Sequence, residues 1–224
     1  MQNVLLLGAA SILGAATAAR LSKDGINVIL VDEAEEFEKN FSEAKALYPC
    51  LYANLSELDS VKICVGAIVE EYGSISGSVN MNPAKRFGVN LGSLLDMDAT
   101  QWQTVVRSNF QSTLNCVYAS LPHLIQAGGG TIVSVAGFEG LRGSPGSSIF
   151  SASMAGIIVF SGTLLRECKS HNIRLNSILP APKDYLRHDG DADAFADAVS
   201  FLLSERAGAL NGICLDATGG IALH

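Results

Sequence analysis

Short apolar runs alternate with longer amphipathic segments along almost the whole chain. The apolar, β-branched runs predict strands at 3–7, 27–31, 50–52, 76–81, 131–135, 174–179 and 212–215. Apolar positions that recur every three to four residues predict helices near 13–21, 58–71, 99–126, 147–169 and 192–203. Strands that alternate with helices in this way pair in parallel, so the pattern predicts an α/β fold, a doubly wound parallel sheet of about seven strands with helices on both faces.

Composition narrows the class of protein. A chain of 224 residues that is 48% hydrophobic can bury one substantial core, and we expect a single domain over 1–224. The formal net charge is -7 and no basic run occurs, which argues against a nucleic-acid partner. The five cysteines are widely spaced without a Cys-x-x-Cys pair, so we expect reduced thiols, no metal site and a cytoplasmic location.

One stretch is apolar enough to raise the question of a membrane. Residues 147–165 carry no charge and reach the length of a membrane span. Their Ser and Gly content instead favours a helix that is buried between subunits, and we expect no membrane contact.

Several landmarks occur in the order found in one enzyme family. They are the glycine turn at Gly8, Asp32 after the second strand, Asn80 in the fourth, Asn109 in a long helix, and the segments 128–133, 173–180 and 216–220. In this order the chain resembles the short-chain dehydrogenase/reductase family over nearly its whole length. The resemblance implies a Rossmann-type fold and descent from enzymes that catalyse NAD-dependent oxidation and reduction.

The reactive side chains of that family are missing here. Its members carry Tyr-x-x-x-Lys on a helix, and a Ser thirteen positions before the Tyr. The matching positions are Phe150, Met154 and Gly137. A phenyl ring and a thioether transfer no proton, so we expect no dehydrogenase activity from this chain. Asn109 matches the family's fourth catalytic residue, and without the Lys we expect it to be structural.

The nucleotide motif is also altered. The family's Thr-Gly-x-x-x-Gly-x-Gly becomes 7–14 of this chain, in which Gly8 and Gly14 remain and Ile12 replaces the middle glycine. Asp32 stands where an acidic residue of the family hydrogen-bonds the adenosine ribose. The sequence is equally consistent with a solvated residue at the start of a loop. With Asn80, these positions predict a cofactor site that is vestigial at best, and no tightly bound cofactor.

The substrate-covering segment is shortened as well. Family members place a loop and small helices after the sixth strand, whereas here 180–190 runs almost directly into the next helix, so we expect a truncated lid. The polar groups available to a repurposed cleft are Glu139, Arg142, Asn109 and His188. Each also reads as an ordinary surface or loop residue.

The segments that build the family's oligomer are the ones retained: helices 99–126 and 147–169 and the C-terminal strand. We therefore predict a non-catalytic subunit, a pseudoenzyme, that scaffolds a catalytically complete paralogue of the same family, with NAD bound in that partner. Hetero-oligomers with one inactive subunit type are known in the family. Two alternatives stay open: an enzyme with repurposed, non-redox chemistry, and a nucleotide-sensing protein built around Asp32.

Overall fold

One parallel sheet organises the structure, a computed structural model that describes residues 2–81, 92–181 and 189–220. Its order is β3-β2-β1-β4-β5-β6-β7, and every neighbouring pair is parallel. The strands are β1 (Asn3–Leu7), β2 (Asn27–Asp32), β3 (Cys50–Tyr52), β4 (Gly77–Asn80), β5 (Gly130–Val135), β6 (Ile173–Pro180) and β7 (Cys214–Ala217). The predicted Rossmann-type sheet is confirmed.

Helices cover both faces of this sheet. They are α1 (Ile12–Lys23), α2 (Ala34–Asn40), α3 (Ala44–Leu47), α4 (Leu58–Tyr72), α5 (Ala99–Val106), α6 (Ser112–Gln126), α7 (Glu139–Arg142), α8 (Ser148–Glu167) and α9 (Asp189–Leu203). Successive side chains of a strand point to opposite faces, so Val4 and Leu6 join one apolar cluster while Leu5 and Leu7 join the other. All of β1 is therefore buried.

The helix predicted over 99–126 is interrupted. A π-helical turn, Arg107–Gln111, separates α5 from α6. Within it the Asn109 Nδ2 donates to Val105 O at 2.7 Å, and the Thr113 hydroxyl donates to Asn109 O at 2.9 Å. Side-chain groups that bond nearby carbonyls compete with the regular ladder, which is why a polar run inside a helix can widen one turn.

The connection from β6 to α9 is short. Only positions 181–188 separate the end of β6 from the start of α9. Most of the segment in which we expect a truncated lid, including His188, lies outside the described residues.

Candidate functional site

The candidate site lies at the carboxyl edge of the sheet, where β1 and β4 are neighbours. The chain crosses from β1 to β2 on one side and from β4 to β5 on the other, so the connections diverge there. Such a switch point leaves a crevice between the diverging loops and is where open α/β sheets bind ligands. The sequence motifs place the predicted residues along this edge.

The turn between β1 and α1 retains the geometry that its glycines allow. Gly8 has a φ of 80°, which favours glycine. A Cβ on Gly14 would lie 2.0 Å from the carbonyl oxygen of Ala9, so no side chain fits where α1 starts against the turn. Ser11 caps α1 by accepting a hydrogen bond from Gly14 N at 3.1 Å. Ile12 is 60% exposed at the first helical position.

Asp32 is not a solvated loop residue. It ends β2, it is fully buried, and its Oδ2 accepts a hydrogen bond from Ala10 N at 2.8 Å. Its Oδ1 accepts from Glu33 N, also at 2.8 Å. The carboxylate thus joins the end of β2 to the glycine turn, so the reading of Asp32 as a solvated residue is wrong.

The positions of the family's Tyr and Lys belong to the hydrophobic core. Phe150 and Met154 lie in the first half of α8, both are fully buried, and both belong to the apolar cluster that contains Val135 and Ala136. A Cβ on Gly140 would lie 2.9 Å from Met154 Cβ, so α7 packs closely over this part of α8. Gly137 is buried as well. No proton-transfer group stands at any of these three positions.

The two retained asparagines serve neighbouring backbone and side chains. Asn80 is buried at the end of β4, and its Nδ2 donates to Ser134 Oγ on β5 at 3.1 Å. Asn109 is buried in the π-helical turn, where Nδ2 bonds the Val105 carbonyl and Ser108 Oγ. These contacts fit the structural role that the sequence predicts for Asn109.

The candidate groups of a repurposed cleft face different surroundings. Glu139 is buried at the start of α7. Arg142 is exposed at the end of the same helix, with its guanidinium carbon 5.6 Å from the centre of the Phe138 ring. Asn109 bonds its own helix, and His188 lies outside the described residues.

Some of the described residues differ from those with which the family contacts a nicotinamide dinucleotide, although Gly8 and Gly14 are retained. Met154 offers no ammonium group for the nicotinamide ribose. Asp32, where an acidic side chain would meet the adenosine ribose, is buried and bonded to backbone amides. Ile12 places a β-branched side chain where the motif needs bare backbone near the phosphates.

Other reactive groups are sparse among the described residues. Among the residues with described positions, no group of three or more His, Cys, Asp or Glu side chains could hold a metal ion. Burial raises the pKa of Cys64 and of Cys214 to about 11, so neither thiol is ionised at neutral pH.

A cleft of about 580 Å³ lies at the opposite, amino end of the sheet. Asp24 there accepts hydrogen bonds from Arg20 and Ser200, which lower its pKa, and Arg20 also pairs with Asp197. In the lining of this cleft, the guanidinium of Arg20 is therefore paired with the carboxylates of Asp24 and Asp197.

The surface of α8 remains apolar. This helix is the one described segment long and apolar enough to cross a membrane, judged by length and composition, yet only 28% of its most apolar 18-residue window is buried within the chain. Val159 on α8 is 66% exposed and Tyr118 on α6 is 62% exposed. A single copy of the chain therefore leaves large apolar side chains exposed on α6 and α8.

Comparisons with known proteins agree on one family. The family profile described as short chain dehydrogenase matches residues 2–185. The 3-oxoacyl-[acyl-carrier-protein] reductase FabG of Staphylococcus aureus is 25% identical over 244 aligned positions, which cover 98% of each chain. The reductase of the same name from Chlamydia muridarum is 33% identical over 75% of this chain and 74% of its own.

Solved structures share the fold. An actinorhodin polyketide ketoreductase solved with NADPH superimposes with a TM-score of 0.85 at 21% identity, covering 100% of this chain and 98% of its own. A short-chain type dehydrogenase/reductase from Mycobacterium ulcerans gives a TM-score of 0.87 at 19% identity, over 100% of this chain and 90% of its own. At these identities the likeness concerns the fold.

Proposed function

This chain belongs to the short-chain dehydrogenase family, and we propose that within this family it is a non-catalytic subunit that scaffolds or stabilises a catalytically complete relative. The relative binds NAD and catalyses the reaction, whereas this chain holds no tightly bound cofactor. The strongest support is the burial of Phe150 and Met154, because the two reactive positions of the family have become part of the core. We propose that both subunits are cytoplasmic.

The partner binds to the apolar face of α5, α6 and α8, and the C-terminal strand β7 provides a second contact. This surface is supported by the exposure of large apolar side chains to solvent on the three helices, those of Trp102, Tyr118 and Val159. A contiguous apolar face costs free energy in water, and a partner helix removes that cost. Because the family's contacts are near-symmetric, a paralogue can replace a second copy of this chain.

A heterotetramer with one inactive subunit type is the assembly that we propose. The inactive subunit of 2-[hydroxy(phenyl)methyl]succinyl-CoA dehydrogenase is one such chain, and the present sequence resembles it in lacking the reactive side chains and the long lid. The partner of this chain is therefore a dehydrogenase with an intact Tyr-x-x-x-Lys helix. The substrate binds in the active site of that partner dehydrogenase.

The experiment is co-purification of the tagged chain with a complete relative from the same genome. Val159→Asp places a charge on the outer face of α8 and should reduce the recovered partner by roughly tenfold or more, since an unpaired charge is costly in an apolar interface. Ile63→Asp is the matched control, because Ile63 is a similarly exposed β-branched residue, at 73%, on α4. Equal recovery with both variants would contradict the proposed surface.

A further inference from the structure

The amides of the turn between β1 and α1 are bonded inside the chain. Gly8 N and Ala9 N donate to Val31 O at 2.8 and 3.4 Å, and Ser11 N donates to Ala9 O at 2.7 Å. In a dinucleotide site the glycine turn brings its backbone close to the pyrophosphate at the start of the following helix. Here these three donors are directed to the protein's own carbonyls.

The carboxylate of Asp32 accepts a hydrogen bond from the remaining amide of the turn, that of Ala10, which lies between Ala9 and Ser11. Ala10 is buried and its N–H donates to Asp32 Oδ2, while Glu33 N donates to the other carboxylate oxygen. Bonds from backbone amides to a carboxylate are charge-assisted and stronger than neutral ones. Removing the carboxylate would leave the buried Ala10 amide without its acceptor.

We propose that Asp32 is an internal ligand of the glycine turn. Its buried carboxylate fixes the turn to the end of β2, so the turn is complete without a nucleotide. The residue that would otherwise hold the adenosine ribose has become part of the scaffold. This inference stands whether or not the chain pairs with a dehydrogenase.

The two roles of Asp32 predict opposite effects of one substitution. A ribose ligand contributes affinity for a nucleotide and little to the unliganded fold. An internal ligand contributes to the unliganded fold, and its loss does not weaken nucleotide binding. Asp32→Ala therefore separates the two roles.

The test compares the full chain, Asp32→Ala and the control Glu33→Ala, which removes a neighbouring acidic side chain that is exposed. Thermal unfolding is followed without ligand, and binding of ADP is measured by calorimetry. We expect Asp32→Ala to lower Tm by roughly 5–10 °C relative to Glu33→Ala, with ADP affinity no lower than that of the unmodified chain. An unchanged Tm, or a roughly tenfold loss of ADP affinity specific to Asp32→Ala, would overturn the proposal.

A measurement on the unmodified chain covers the case in which Asp32→Ala does not fold. Amide hydrogen exchange reports whether the Ala10 N–H is already bonded in the absence of nucleotide. We expect Ala10 to be protected without ADP and to gain no protection in excess ADP. Protection that appears only with ADP would show that the nucleotide, and not Asp32, orders the turn.

Discussion

At the scale of single residues, the positions of the family's reactive Tyr and Lys carry apolar side chains that are buried in this chain. Phe150 and Met154 are fully buried on α8 beside β5. A polar replacement there must recover a proton-transfer group and also fit into an apolar environment. Burying an ammonium group without a partner costs several kcal/mol or neutralises the amine.

Restoring the three family residues should therefore not restore the reaction. We expect the triple variant Gly137→Ser, Phe150→Tyr, Met154→Lys to show no NAD reduction on a panel of alcohols, because Ile12 still replaces the middle glycine of the motif and, in our proposal, Asp32 stays bonded to the glycine turn. Absorbance of NADH at high enzyme concentration is the measurement. The single variant Phe150→Tyr is the control for folding, since it adds only one hydroxyl. Turnover by the triple variant would show that the cofactor site is intact.

The sequence predicts some of these residues better than others. The fixed spacing of Gly137, Phe150 and Met154 relative to a known motif is enough to locate them, because the motif occupies one loop and one helix. For Asp32 the sequence allows two interpretations, because its acceptor role depends on Ala10, which is 22 positions away. A contact at that separation has no local pattern in the sequence.

At the scale of secondary-structure elements, Arg174 holds the end of α9. Its Nη1 donates to Leu202 O at 2.8 Å and to Ala207 O at 3.3 Å, and its Nη2 donates to Leu203 O at 3.2 Å and to Ser204 O at 3.1 Å. The last carbonyls of a helix have no partners within it. A planar guanidinium supplies several donors at once and places a positive charge at the negative end of the helix.

We expect Arg174→Met to lower the free energy of unfolding by about 2–3 kcal/mol, since hydrogen bonds from a charged group are lost and carbonyls are left without donors. Arg174→Lys should recover part of this, because an ammonium keeps the charge without the fork. Urea unfolding measures both. Arg107→Met is the control: its exposed pair with Glu57, at 2.9 Å, should be worth at most about 1 kcal/mol. Equal losses for Arg174→Met and Arg107→Met would contradict this role of Arg174.

Periodicity predicts the long elements well and the short ones poorly. The bounds of α4 and α8 lie within two residues of the predicted 58–71 and 147–169. The one-turn helices α3 and α7 and the seven-residue α2 were missed, because so few residues cannot display a helical repeat. The π-helical turn was missed because its cause is the Asn109 side chain rather than the apolar pattern.

At the scale of the whole molecule, the fold is that of the short-chain dehydrogenase family, and the loss of the family's activity is our proposal. The seven parallel strands follow from alternating strands and helices, which the sequence displays directly, whereas alternation does not fix the order of the strands in the sheet. The sequence predicts an apolar α8 from its lack of charge, and in one copy 28% of its most apolar 18-residue window is buried while Val159 stays 66% exposed. Which chain covers this surface is a property of the assembly, and a single sequence does not contain it.

Native mass spectrometry of this chain, co-expressed with a complete short-chain dehydrogenase from the same genome in the presence of NAD, shows whether the chain is a cofactor-free subunit of a mixed assembly. The account predicts a mixed oligomer, with a tetramer as the expected size, in which the number of NAD molecules equals the number of partner subunits. A homo-oligomer of this chain that carries NAD on each copy would contradict it.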